Sequence, residues 1–265
     1  MSDEPVLYTK DGYITTITLN RPENRNSMTP DVLAAFKEAI LKVRNDNNVR
    51  VLIITGSGKS FCAGADFSSG GTLAGRDKLS TIESYEHSKG IYQPFLGILE
   101  IEVPVIAAMN GHAIGGGLGL AVVCDMRIAS TEARYGANFA RLGLHSGMSI
   151  SYLLPRLIGV PKAAEFLFSG TIMSGQEAAD CGLANYAVTP DQVMAEARKR
   201  ADIIAGNGPQ AVKLIKQSFY RNLNWDPRSA AIGEAWAQSA TMSSQDSTEG
   251  IAALLEKRDP VFTGK

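Results

Sequence analysis

The chain has 265 residues, of which 45% are hydrophobic and 20% charged, with a formal net charge of −1. That length suits one domain with an appendage and a sizeable core. The near-neutral balance excludes a nucleic-acid binder and a polybasic membrane protein, so neither nucleic acid nor membrane is an expected partner.

The acidic start, Met1-Ser2-Asp3-Glu4-Pro5, is followed by no apolar run, and no signal peptide is expected. Strands are predicted over residues 6–8 and 13–19, around the Lys10-Asp11-Gly12 turn. After a polar loop, Thr29 caps a helix that has Pro30 in its first turn and runs to about residue 44. Residues 51–55 form a short apolar strand. Gly56-Ser57-Gly58-Lys59-Ser60 then turns into Phe61-Cys62-Ala63-Gly64-Ala65-Asp66. The stretch 68–77 is glycine-rich and expected to be mobile. A helix is predicted from 80 to about 99, with Gly90 and Pro94 interrupting it.

An apolar run over 103–108 predicts a buried strand. It leads through Asn110-Gly111-His112-Ala113-Ile114 into Gly115-Gly116-Gly117 and a small-residue helix over 118–123. The span 103–123 is the only one long enough to suggest a membrane helix. It holds Pro104, Asn110, His112 and several glycines, and therefore reads as strand, turn and helix. A strand over 125–129 follows, then a glycine-bearing stretch over 135–144 and a helix to about 158. Ser174-Gly175-Gln176-Glu177 has capping-box spacing. Beyond residue 190 the pattern is helical: roughly 191–206, 208–223, 228–243 and 245–257. The chain divides at this level into a core over 1–190 and a helical assembly region over 191–265. Cys62, Cys124 and Cys181 are odd in number and lack metal-ligand spacing. They predict reduced thiols, a cytoplasmic setting and no metal site.

Three glycines at a strand-to-helix joint permit a sharp turn and expose N–H groups at a positive helix end. Such a joint suits negative charge developing on a ligand oxygen. A tight turn with close packing is the plainer alternative for a glycine triplet taken alone.

Phe61-Cys62-Ala63-Gly64-Ala65-Asp66-Phe67 and Asn110-Gly111-His112-Ala113-Ile114-Gly115-Gly116-Gly117 stand in order between Leu19-Asn20-Arg21-Pro22 and a C-terminal stretch from Glu249-Gly250-Ile251 to Asp259-Pro260-Val261-Phe262. With these four motifs the chain resembles the crotonase superfamily, the enoyl-CoA hydratase/isomerase family, over about residues 6–265. The resemblance implies an α/β fold of repeated β-β-α units forming two sheets. It also implies a C-terminal helical region that packs homotrimers, usually paired into homohexamers. It further implies an acyl-CoA thioester as substrate and a role in fatty-acid metabolism. Coenzyme A is then part of the substrate, and no separate cofactor or metal is implied.

By position, the backbone N–H groups of Ala65 and Gly116 would form an oxyanion hole for the thioester carbonyl. Two preorganised donors stabilise an enolate oxygen more than the neutral ground state, each by about 3 kcal/mol of barrier. Core filling is the alternative role for Ala65. The adenine and pantetheine would lie along Ala63, Ala65, Asp66, Phe67 and Ser68. Phe262 and Lys265 match positions that help hold coenzyme A near a subunit boundary.

The chain departs from the family where proton transfer is concerned. Relatives that hydrate a conjugated double bond supply two glutamates. The first position, three residues beyond the oxyanion glycine, is Gly119 here. The second, after Tyr135-Gly136-Ala137-Asn138, is Phe139. The aspartate position of some isomerases is Gly147. Loss of a general acid or base costs roughly 10² to 10⁴ in rate for each proton transfer. His145 is the first candidate replacement, because histidine titrates near neutral pH; capping the next helix or bonding a loop carbonyl is its alternative role.

Glu83 and His87 share a helix face with Tyr85 turned elsewhere, and solvated roles are expected for both. His112 is expected to pack, Asp66 to cap the helix behind the oxyanion loop, and Asp125 to satisfy backbone groups at a strand start. Arg141 is a candidate for a CoA phosphate, and Asn138 is a further polar residue near the pocket. Phe139 in place of a charged side chain suggests a hydrophobic acyl pocket. The reading is an enoyl-CoA hydratase/isomerase-type enzyme without the usual two glutamates. A non-catalytic acyl-CoA carrier and a divergent CoA-thioester hydrolase, C–C hydrolase or decarboxylase are the alternatives.

Overall fold

The run Val-Leu-Ile-Ile-Thr-Gly forms strand β3 (Val51–Gly56), and each of its residues is buried. Successive side chains on a strand point to opposite faces, so a strand covered on both sides reads as continuous apolar sequence. Leu52 and Ile54 enter one core cluster, while Val51 and Ile53 enter a second on the other face. The structure is a computed structural model and describes residues 3–66 and 79–265. The glycine-rich stretch 68–77, together with Phe67, lies outside the described residues.

β3 is central in a sheet that also contains β1 (Val6–Asp11), β2 (Ile14–Leu19), β5 (Val105–Met109), β7 (Met126–Ser130) and β10 (Tyr186–Val188). The order is β1-β2-β3-β5-β7-β10. In this sheet, among the described residues, β1 and β2 pair antiparallel, with Asp11 opposite Ile14 across the turn; the other neighbours pair parallel. A smaller sheet has the order β4 (Ser60–Cys62), β6 (His112–Ile114), β8 (Arg134–Gly136), β9 (Ile172–Ser174).

The chain lays β5 in the large sheet, β6 in the small one, then helix α3 (Gly116–Val122). It repeats with β7, β8 and α4 (Ile150–Ile158). This is the β-β-α repeat that the family resemblance implies, and the span 103–123 is strand, turn and helix as read. Among the described residues, no helix is long and apolar enough to cross a membrane.

Helix α1 (Pro30–Arg44) buries Val32, Phe36, Ala39, Ile40 and Val43, a spacing that lines up one face. Phe36 meets Phe95 of α2 (Thr81–Leu96) with ring centroids 4.7 Å apart. Contrary to the sequence expectation, α2 runs through Gly90 and Pro94 without a break. A proline ring crowds the carbonyl four residues back. Here that carbonyl belongs to Gly90, and the Phe95 contact and a Ser80–Glu83 capping box hold the helix at both ends.

The far face of the large sheet is covered by α7 (Val193–Ala205). Its Val193, Ala197, Ala201 and Ala205 pack on Ile14, Val51, Ile53, Ile106, Ala108 and Ile128. A division at residue 190 therefore falls between the sheet and a helix that completes its core. The helices lying outside this packing are α8 (Pro209–Asn222), α9 (Pro227–Met242) and α10 (Gln245–Glu256). Buried Arg50 ties this outer region down: its guanidinium donates to the carbonyls of Ala205 at 2.9 Å and Phe262 at 2.7 Å. Asp125 anchors α8 by accepting from Lys216 at 2.7 Å and Tyr220 at 2.6 Å. It also accepts from the Val105 N–H at 2.6 Å, the backbone role expected of it.

Candidate active site

Two loops that are far apart in sequence meet at the glycines. Gly64 has φ of +84°, and a Cβ on it would lie 2.6 Å from the Ile114 carbonyl oxygen and 3.0 Å from the Gly116 nitrogen. Gly117 is tighter still, since a Cβ there would lie 1.9 Å from the Cys62 carbonyl oxygen. Only glycine lets these backbones approach so closely. The Gly64 carbonyl accepts from the Met28 N–H at 2.8 Å, and the Gly115 N–H donates to Gly136 at 2.7 Å, which holds both loops in place. Ala65 and Gly116 both line one cavity of about 1160 Å³. Among the described residues, neither of their N–H groups is paired with an acceptor.

The opposite wall of the cavity comes from α2 and from the loop before α4. Ser84, Tyr85, Ser88, Ile91 and Tyr92 line it at helical spacing, joined by His87. Glu83 does not line it: its carboxylate closes the capping box with Ser80, which holds it below the usual glutamate range. Tyr85, expected to turn elsewhere, instead lines the cavity together with His87. The loop contributes Leu144, His145, Ser146 and Met148. Met148 and Ser149 both sit at φ of 57°, unusual for non-glycine residues, and this double left-handed turn drives Met148 inward, where it is 2% exposed. His145 stays exposed, with Nδ1 2.6 Å from the Ser146 carbonyl oxygen. A carbonyl oxygen can only accept, so Nδ1 is the donor in this contact and Nε2 is the ring nitrogen not engaged by it.

Ala63 and Asp66 also line the cavity, as do Asn138 and Phe139, while Phe67 and Ser68 lie outside the described residues. Phe262 and Lys265 do not line it within the single chain; their carbonyls accept from Arg50 and from the Asp246 N–H. Arg141 is exposed beside Gly170 and is absent from the cavity lining. Arg25, at φ of 60° in the loop before Met28, is on that lining. His112 is exposed and accepts from the Arg134 N–H at 3.0 Å, so it satisfies backbone where β6 and β8 begin instead of packing. Burial pushes the thiols of Cys62 and Cys124 up to about 12, which leaves them unreactive.

The family model described as enoyl-CoA hydratase/isomerase matches residues 9–265. The chain belongs to the enoyl-CoA hydratase/isomerase family. A crotonyl-CoA hydratase of Syntrophomonas wolfei is 37% identical over 266 residues, covering 100% of both chains. A short-chain-enoyl-CoA hydratase of Clostridium acetobutylicum is 36% identical over 96% of this chain and 95% of that one. The crystal structure of an enoyl-CoA hydratase from Bacillus anthracis superposes with a TM-score of 0.92 at 32% identity, covering 98% of this chain and 100% of that one. The fold is that of the family, and the chain is an enzyme of its hydratase/isomerase type.

Within that family frame, the three positions that resemblance associates with acids are occupied by other groups. A Cβ on Gly119 would lie 2.4 Å from Met148 Cβ, so Met148 fills the space of a side chain there. Phe139 is half-buried and lays its ring edge toward Gly115. At Gly147 a Cβ would meet Tyr92 Oη at 2.4 Å. Tyr92 and Met148 went unnoticed in the sequence; the available signal for Tyr92 was its place one helical turn after Ser88 on the cavity face.

Proposed function

We propose that the chain hydrates the conjugated double bond of an apolar enoyl-CoA thioester through an enolate held by the N–H groups of Ala65 and Gly116. The observation that carries this reading is that Ala65 and Gly116 line the same cavity and that, among the described residues, neither N–H has an acceptor. Charge on the carbonyl oxygen grows as the enolate forms, so donors fixed in advance lower that barrier more than they tighten binding. His145 is the base that takes a proton from water, through the Nε2 that its Ser146 contact leaves free. The CoA moiety runs past Ala63, Ala65 and Asp66, with Arg25 of the same lining meeting a phosphate. Met28, Ile91, Phe139, Leu142 and Met148 make the acyl end apolar, which favours acyl groups longer than crotonyl. This chemistry calls for no metal and no redox cofactor.

Exposed apolar residues on the outer helices, among them Trp236 and Leu255 at 78% each, support assembly into a homotrimer or a hexamer of two trimers. In that assembly Phe262 and Lys265 would reach a neighbouring copy's CoA. Three free cysteines support a reducing, cytoplasmic setting.

The test is a turnover assay with crotonyl-CoA and longer and aromatic enoyl-CoA esters, following loss of the conjugated-thioester absorbance. Hydration that improves with apolar chain length is the expected result. CoA-ester binding with no hydration of any ester would sink the hydratase reading. In that case a shifted double bond in the recovered product would identify isomerisation instead.

A further inference from the structure

The reason position 147 is glycine lies on another element. A Cβ there would come within 2.4 Å of Tyr92 Oη and 2.7 Å of its Cζ, so the phenol from α2 fills the space in front of Gly147. Tyr92 and Gly116 both line the cavity. Tyr85, His87 and His145, which also line the cavity, are exposed, whereas Tyr92 is half-buried. Burial raises the Tyr92 phenol above its usual range, and a hydrogen bond with Ser88 one turn earlier opposes that shift. A phenol titrates near pH 10 even when unperturbed, so this group carries its proton at neutral pH. An enolate carbon is far more basic than a phenolate, so proton transfer from the phenol runs downhill.

We propose that Tyr92 Oη is the proton donor to the α-carbon of the thioester enolate. The proposal rests on the enolate reading given above. As hydroxide from water adds to the β-carbon, His145 Nε2 takes the remaining water proton. The enolate then collapses: its electron pair forms the α-carbon–hydrogen bond, the Tyr92 O–H bond breaks, and the carbonyl is restored. The proton on His145 returns to the Tyr92 phenolate through solvent, so the pair ends as it began. No carboxylate is needed, which accounts for the filled spaces at Gly119 and Gly147 and for Phe139.

Two readouts test this on the full-length protein: kcat and KM on an enoyl-CoA ester, and exchange of the α-protons of a saturated acyl-CoA with D₂O followed by NMR. Tyr92→Phe is expected to lower kcat and α-exchange by roughly 10² or more, with KM changed little. Gly147→Ala, whose methyl displaces the phenol, is expected to lower kcat in the same way. Tyr92→Ala/Gly147→Asp, which puts a carboxyl group into the vacated space, is expected to recover turnover at least about tenfold over Tyr92→Ala; this pair carries the test if Tyr92→Phe folds poorly. An active wild type with a Tyr92→Phe variant that keeps its kcat and raises only KM would overturn the donor role and leave a packing role. A wild type showing neither turnover nor α-exchange would overturn the enolate reading and the donor with it.

Discussion

The two walls of the cavity are built from different material. One is backbone: Ala65 and Gly116, locked by contacts of Gly64 and Gly117 that tolerate no side chain. The other is side chains: Tyr92, His145 and Met148 on α2 and the loop before α4. In the proposed mechanism the backbone wall stabilises a developing oxyanion, which needs only peptide groups held in place, and the other wall transfers protons, which needs particular side chains. The contrast teaches that, on this proposal, charge stabilisation and proton transfer are separable.

The first way to break the contrast is Gly117→Ala. Its methyl overlaps the Cys62 carbonyl, a backbone atom that cannot swing aside. Turnover is expected to vanish with every ester, and the protein to lose about 1–3 kcal/mol in urea unfolding. On the other wall, His145→Ala is expected to lower kcat by roughly 10² to 10⁴ while CoA-ester binding by calorimetry and the unfolding midpoint stay put.

Gly119→Glu sharpens the comparison, because it restores a residue of the family pattern in a space that Met148 occupies. It is expected to bring no gain in turnover and to cost about 1–3 kcal/mol of stability. Adding Met148→Gly, which suits the left-handed turn as well, is expected to return most of that loss. If Gly119→Glu alone raised kcat without destabilising the protein, Met148 would not be the obstacle.

The smallest effect lies far from both walls. Arg258 and the Val261 N–H hold the Glu249 carboxylate down at about 2. A lowered carboxylate contributes stability above its unfolded pKa of about 4.3 and loses it as pH falls through the folded value. The C-terminal stretch 258–265 is therefore expected to loosen between about pH 4 and 2, read by amide exchange. Glu249→Gln is expected to remove that acid dependence with little change in activity, since the pair is exposed.

Much of the frame was legible because its signals are local. The Val51–Gly56 run, the capping boxes at Ser80 and Ser174 and the four C-terminal helices each declare themselves through nearest neighbours. The uninterrupted α2 was not legible, because its continuity depends on Phe95 meeting Phe36 from α1. Likewise α7 reads as the first of several outer helices. Only its alanines at 197, 201 and 205, seated on the large sheet, make it part of the core.

Residue types and spacing alone yielded the strand–glycine–helix joint and the helical last third of the chain; the family resemblance carried by the four motifs added the two-sheet β-β-α plan, the pair Ala65 and Gly116, and the gaps at 119, 139 and 147. All of these are properties of short segments, or of their order along the chain. What occupies the gaps was decided in three dimensions. Met148 reaches Gly119 through a left-handed turn, and Tyr92 reaches Gly147 from a helix more than fifty residues earlier in the chain. No local pattern encodes such a meeting, because close packing joins whichever side chains the fold brings together.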